Sequence, residues 1–115
     1  NAIAALGPES DAFVAVGNGQ KITATNNKGS SWTEYDLGSD FNYNWVDVTY
    51  GGGLWMAVSS TGEIMVARTY SNWRLLTSPI KGSWTSVAYG NDMFVICGID
   101  DVGVAVIMKC LAPII

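Results

Sequence analysis

Three short stretches of this chain carry the same apolar rhythm. Phe13-Val14-Ala15-Val16, Trp55-Met56-Ala57-Val58 and Phe94-Val95-Ile96-Cys97 each open on an aromatic residue, at offsets of 42 and 39. Each is followed by a small residue, a short turn and a further apolar run: KITAT, EIMVAR and GVAVIMK. The first two copies continue into a tryptophan segment, SSWTEYDL and SNWRLLTS. The second and third are preceded by a strand running from tryptophan to Tyr-Gly, NWVDVTYG from Trp45 and SWTSVAYG from Trp84. Period-two alternation in VDVTY, TSVAY and KITAT is that of strands with one buried face, and no window sustains a helical period.

Gly, Asn, Asp and Ser clusters bound these runs, so the pattern predicts about eleven strands of about five or six residues. That number takes Ala2–Leu6 as the first strand, with Leu6-Gly7 in the place of Tyr-Gly. Four strands in roughly 40 residues is the cadence of a propeller blade, a sheet that must stack on neighbours to bury its faces. The fold class expected is all-β: antiparallel four-stranded propeller-like blades in one domain over 1–115, incomplete alone. The repeats cover about 2–37, 44–78 and 83–110, or about two and a half to three units. Closed propellers typically have 4–8 blades, so three leave open edges and an uncovered flank. Association with other copies of the chain, continuation in a longer polypeptide, or a three-sided prism or sandwich would each resolve this. A homo-oligomer is the expectation.

Composition adds one fact that bears on this. Hydrophobic residues make up 49% of the chain and charged residues 14%, where about 25% is usual. Either another copy or a larger assembly covers much of the surface, or Gly, Ser, Thr and Asn supply its polarity. Six Lys and Arg residues and a net charge of −4 provide neither the basic face that nucleic acid requires nor one for anionic membranes. The apolar run VGVAVIMKCLAPII is interrupted by Lys109 and Pro113 and is too short to span a bilayer. The chain opens on Asn1 without an initiator Met, as a processed, cut or excerpted chain would, and no signal-peptide pattern is visible.

The segment Thr25-Asn26-Asn27-Lys28-Gly29-Ser30-Ser31-Trp32 resembles the Asp-box of bacterial-neuraminidase-type β-propeller repeats, Ser/Thr-x-Asp-x-Gly-x-x-Trp, with Asn27 in the Asp place. The wider pattern, tryptophan to Tyr-Gly and then an aromatic strand, is similar to the same family, whose repeats occur in sialidases, photosystem assembly factors and phage tail and fibre proteins. A second box around Thr69-Tyr70-Ser71-Asn72-Trp73 is shortened and lacks the glycine, and the third repeat has none. In the family the box is a structural turn remote from any active site. The resemblance therefore implies structural roles for Thr25, Asn27, Gly29 and Trp32, and for Trp45, Trp73 and Trp84. Asn27 is expected in an Asx-turn, Gly29 at positive φ and Trp32 packed under the turn.

Enzymatic chemistry finds little support. Histidine is absent, which removes Ser-His-Asp and Cys-His nucleophile systems and histidine zinc sites. Sialidases of this family hold a carboxylate with three arginines, whereas this chain has Arg68 and Arg74 alone. Asp100 with Asp101, or Asp36 with Asp40, are the carboxylate pairs available for glycoside hydrolysis. The first reads better as a hairpin turn. Asp36, Ser39, Asp40 and Asn42 miss the EF-hand spacing for calcium, and no cofactor or metal is expected. Gly17-Asn18-Gly19 and Gly51-Gly52-Gly53 are read as turns, since no helix follows to make a phosphate cradle. Cys97 and Cys110 fall on two arms of a hairpin, facing about Val106 and Met93. They are too far apart for a disulfide and are expected as buried thiols.

The segment Asp36–Trp45 is the longest connection and mixes aromatic rings with amides. Tyr35, Asp40, Phe41, Asn42, Tyr43 and Tyr70 are the candidate ligand contacts, suited to a sugar ring or a partner surface. The alternative is that these rings cap the space between blades. The expected function is a non-enzymatic structural or binding module: by resemblance a phage or viral tail, fibre or capsid-decorating component, or else a lectin-like carbohydrate-binding module. Its partners would be other copies of itself or a larger virion or surface assembly, with a glycan as a further candidate ligand. A virion or extracellular location follows from either reading.

Overall fold

The computed structural model describes residues 2–5, 12–25, 27–51, 53–68, 73–76, 82–91 and 93–111. Up to residue 36 the chain forms β1 (Ala2–Ala5), β2 (Phe13–Val16), β3 (Asn18–Gly19), β4 (Lys21–Thr25) and β5 (Thr33–Asp36). After a 3₁₀ turn at Ser39–Phe41 come β6 (Tyr43–Gly51), β7 (Leu54–Ser59), β8 (Ile64–Ala67) and β9 (Trp73–Leu76), then β10 (Gly82–Gly90), β11 (Met93–Asp100) and β12 (Ala105–Leu111). They make three antiparallel meanders: β1-β2-β4-β5, β6-β7-β8-β9 with β3 added beside β6, and β10-β11-β12. No α-helix occurs among the described residues. The first strands of the sheets, β1, β6 and β10, lie side by side, so the sheets fan out from a common inner edge as propeller blades do.

Burial explains why the rhythm differs between repeats. The middle sheet is buried on both faces, and every residue of β7 and β8 is buried. Those strands accordingly read as continuous apolar runs, LWMAVS and IMVA. The outer sheets have one covered face, and β2 and the start of β11 alternate. One core joins the first sheet to the second, with Val14, Val16, Ile22 and Ala24 against Trp45, Trp55, Met65 and Trp73. The other joins the second to the third, with Met56, Val58, Ile64 and Val66 against Trp84, Val87, Phe94 and Met108. The strand registers make the first quartet of each core equivalent. Each sheet thus presents a forward face to the next sheet and a rear face to the one before.

Three locks hold the fan. Trp45 and Trp84 each precede a β-bulge in the inner strand, which turns these fully buried indoles into the space between sheets. At the bulge of β6, Asp47 Oδ2 accepts from the backbone N–H of Val87 at 2.9 Å and from Ser86 Oγ at 3.2 Å, tying one inner strand to the next. The third lock is the Tyr-Gly pair. Tyr50 meets Trp55 edge-on at 4.8 Å, and Tyr89 meets Phe94 likewise at 5.0 Å. The Tyr89 ring lies over Gly51, where a Cβ would fall 2.0 Å from ring carbons.

Several expectations need correction. Gly17-Asn18-Gly19 is more than a turn, because Asn18 and Gly19 pair with Asn44 and Tyr43 as β3. Ala5 lies opposite Phe13, as Tyr50 lies opposite Trp55 and Tyr89 opposite Phe94. Ala5, one residue before Leu6, therefore takes the tyrosine's place. Cys97 lies opposite Ile107 and Cys110 opposite Phe94, one position from expectation. The hairpin closes through Asp100 N–H to the Val104 carbonyl at 2.9 Å, with Gly103 at φ 86 supplying the extra residue. Cys97 is exposed rather than buried, because it sits on the uncovered face of the third sheet; the side chain of Cys110 lies outside those described.

The Tyr-Gly lock makes a specific prediction. Gly51→Ala forces the Tyr89 ring aside, and overpacking of this kind costs about 1–3 kcal/mol. In a Tyr89→Ala background the same substitution should cost almost nothing. Denaturant titration of the two single variants and the double variant measures this; equal costs in both backgrounds would refute the ring contact.

Candidate functional site

The candidate ligand residues do not gather at one place. Phe41 and Tyr43 are half-buried and packed against the core between the first two sheets, together with Tyr35. Trp45 donates its indole N–H to the Phe41 carbonyl at 2.9 Å, and Tyr43 meets the Trp45 ring edge-on at 5.9 Å. The 3₁₀ turn thus folds the aromatic segment down onto the core. Asp40 points outward from that turn and is exposed. Tyr70, with the shortened box at 69–72, lies outside the described residues.

Asn42 lies apart from these rings, on an open cleft of about 530 Å³ on the rear side of the first sheet. The cleft is lined by residues 15–21, Thr23, Glu34 and Asn42. Its polar side chains are Asn18, Gln20, Lys21, Thr23, Glu34 and Asn42, and among the described residues no aromatic ring lines it. Lys21 pairs with Glu34 at 3.6 Å, with both side chains more than half exposed. An ion pair so placed contributes little to stability. At the rim Asp36 accepts from Gln20 Nε2 at 2.8 Å and from the Gly38 N–H at 3.0 Å. These bonds, Gln20 first, and then the nearby Lys21 charge hold its carboxyl below the ordinary value of 3.8. Among the described residues no group of three His, Cys, Asp or Glu side chains is placed to hold a metal ion.

The box at 25–32 is a closed turn. Thr25 is buried, and its hydroxyl donates to Asn27 Oδ1 at 2.7 Å while accepting from the N–H groups of Asn27 and Gly29 at 3.3 and 3.2 Å. Asn27 Oδ1 also accepts from the Ser31 N–H at 3.0 Å. The bond to the residue two on, expected from Asn27 in an Asx-turn, comes instead from Thr25 at four residues' distance. Gly29 has φ 86 and carries the Trp32 indole against it, and Trp32 remains 43% exposed.

The most distinctive surface was missed by motif reading. Aligning the strands by register puts Val95, Cys97 and Ile107 of the third sheet where Met56, Val58 and Ile64 stand in the second. In the second sheet these positions are fully or almost fully buried, whereas Ile107 is 67% exposed. Ile99 extends the same face at 45% exposed. Lys109 replaces Val66 at its far side. The forward face of the third sheet is thus apolar and bare, while the rear face of the first carries the Lys21–Glu34 pair. The signal was present in the sequence, in the position-by-position match of GVAVIMK to EIMVAR, but its exposure depends on which sheet stands last.

No protein-family model matches the chain, and no curated protein matches it. Among solved structures it is similar to one described as YCF48 bound to D1 peptide, a β-propeller, with a TM-score of 0.72 and 20% sequence identity. The alignment covers 93% of this chain and 34% of that one, so the chain spans about a third of that chain's length. The likeness shows the fold, all-β with antiparallel sheets arranged as in a β-propeller.

Two outcomes follow from this geometry. Thr25→Val removes the hydroxyl that closes the box and should cost about 1–3 kcal/mol, read by thermal or denaturant unfolding; a change under about 0.5 kcal/mol would show that the turn closes without it. Asp36 has a folded pKa below its unfolded one. Its contribution to stability is therefore present above the ordinary value near 3.8 and is lost as pH falls through the depressed folded value. Carboxyl NMR titration should place the Asp36 midpoint below 3.8, and Gln20→Ala should move it upward. A midpoint at or above that value in the unaltered chain would refute the assignment.

Proposed function

We propose that this chain is a non-enzymatic structural or binding module that works as part of a larger β-propeller-like assembly, docking through the forward face of its third sheet. The observation that carries this reading is the repeat of a core-forming apolar set on an uncovered face, with Ile107 at 67% exposure in the place where Ile64 is 2% exposed. Contiguous apolar faces of this sort mark interaction surfaces. The absence of histidine from the whole sequence supports a role without catalysis.

In its most specific form the proposal is a phage or viral structural component of a tail, fibre or capsid-decorating type. The resemblance of residues 25–32 to an Asp-box and the low charge content support it. Copies of the chain itself, or the surface of the larger assembly, are the partners this face suits. The carbohydrate-binding reading needs free aromatic faces, and the rings of Phe41 and Tyr43 are committed to the core between sheets. The likeness to a β-propeller with a peptide bound supports the more general idea that such a scaffold presents a binding surface.

Sedimentation velocity over a wide concentration range tests the docking face. Concentration-dependent association, together with binding of an apolar dye, is expected for the unaltered chain. The Ile99→Lys, Ile107→Lys double variant should lose both while its unfolding midpoint stays nearly constant, since both side chains are exposed. A folded chain that stays monomeric and dye-free at every concentration would overturn the reading. Glycan binding abolished by Phe41→Ala and Tyr43→Ala would favour the carbohydrate alternative instead.

A further inference from the structure

Gly51 and Gly90 hold the same place in the second and third sheets, yet the described residues account for only one of them. Each ends an inner strand, Gly51 opposite Leu54 and Gly90 opposite Met93, and each lies on the forward face. Neither has a positive φ, so the backbone demands glycine at neither position. Gly51 is required by the Tyr89 ring resting on it, whereas a Cβ at Gly90 would meet nothing within 4 Å. Glycine weakens a strand, and in a strand it often marks the close approach of another group. Among the described residues no group takes that place at Gly90.

We infer that the forward face of the third sheet seats a further sheet of the same repeat, whose inner strand carries an aromatic ring that rests on Gly90 as Tyr89 rests on Gly51. This rests on the docking reading above and names the partner. The interface would continue the two already in the molecule, with Val95 and Ile107 in the roles of Met56 and Ile64. The first sheet of a second copy does not fit. Ala5 stands where the ring is needed, and its rear face would press the Lys21–Glu34 pair onto Ile99 and Ile107, which disfavours burial of the charges. Lys109, in the place of Val66, asks that the partner sheet offer a carboxylate or leave that edge wet.

The test appends a second copy of residues 68–111 to the full chain, supplying an outer strand for the third sheet and a fourth sheet bearing its own Tyr89. The extended chain should unfold about 4 °C or more above the original. Gly90→Val in the original part, or Tyr89→Ala in the appended part, should each remove that gain. In the unextended chain Gly90→Val should leave the unfolding midpoint unchanged. A fall in that midpoint would overturn the inference without any need for the extension to fold, because Gly90 would then serve this chain's own packing. A gain in the extended chain that survives both substitutions would also overturn it. If the extension brings no gain while Ile99→Lys with Ile107→Lys still abolishes self-association, the docking face stands and the proposed occupant is wrong.

Discussion

A sheet of three or four short strands has two faces, and it cannot be stable until at least one is covered. In this molecule the middle sheet is the solution for its neighbours. Trp45, Trp55, Met65 and Trp73 close the core on one side of it, and Met56, Val58, Ile64 and Val66 close the core on the other. Burying a side chain of this size contributes about 1.5–3 kcal/mol, and among the described residues no other sheet concentrates so many. The cores on both sides collapse if the middle sheet shifts, so its register governs the placement of every other strand.

Apolar burial alone does not prevent one sheet sliding over the next. Polar and steric contacts between neighbouring sheets supply that restraint. Asp47 reaches across to the backbone of Val87, and Trp84 donates its indole N–H to the carbonyl of Gly62 at 3.1 Å. The Tyr89 ring on Gly51 admits one alignment. These contacts are short and directional, so they select among arrangements that burial would treat as equal.

Much of this architecture was legible because the chain repeats itself. The aromatic openings at Phe13, Trp55 and Phe94 announced the second strand of each sheet, and the Trp-to-Tyr-Gly stretches announced two inner strands. What could not be read depended on partners distant in sequence. Nothing around Asn18 shows that it pairs with Asn44, and the composition of the hairpin does not reveal the extra residue that shifts Cys97 to face Ile107. Aromatic residues near amides look alike whether they face solvent or a core. Phe41 turned inward because the 3₁₀ turn brings its carbonyl to the Trp45 indole. Gly51 and Gly90 are indistinguishable as letters, and only the ring over one of them separates the two.

The forward and rear faces have a consequence for growth. They are different surfaces, so addition of sheets has a direction, as in a thread cut with one hand. A stack whose contacts run head to tail either returns on itself and stops, or continues without a natural length. The angle between successive sheets decides which, so in a longer array of such sheets the tryptophans that set that angle would choose between a closed ring and an open fibre.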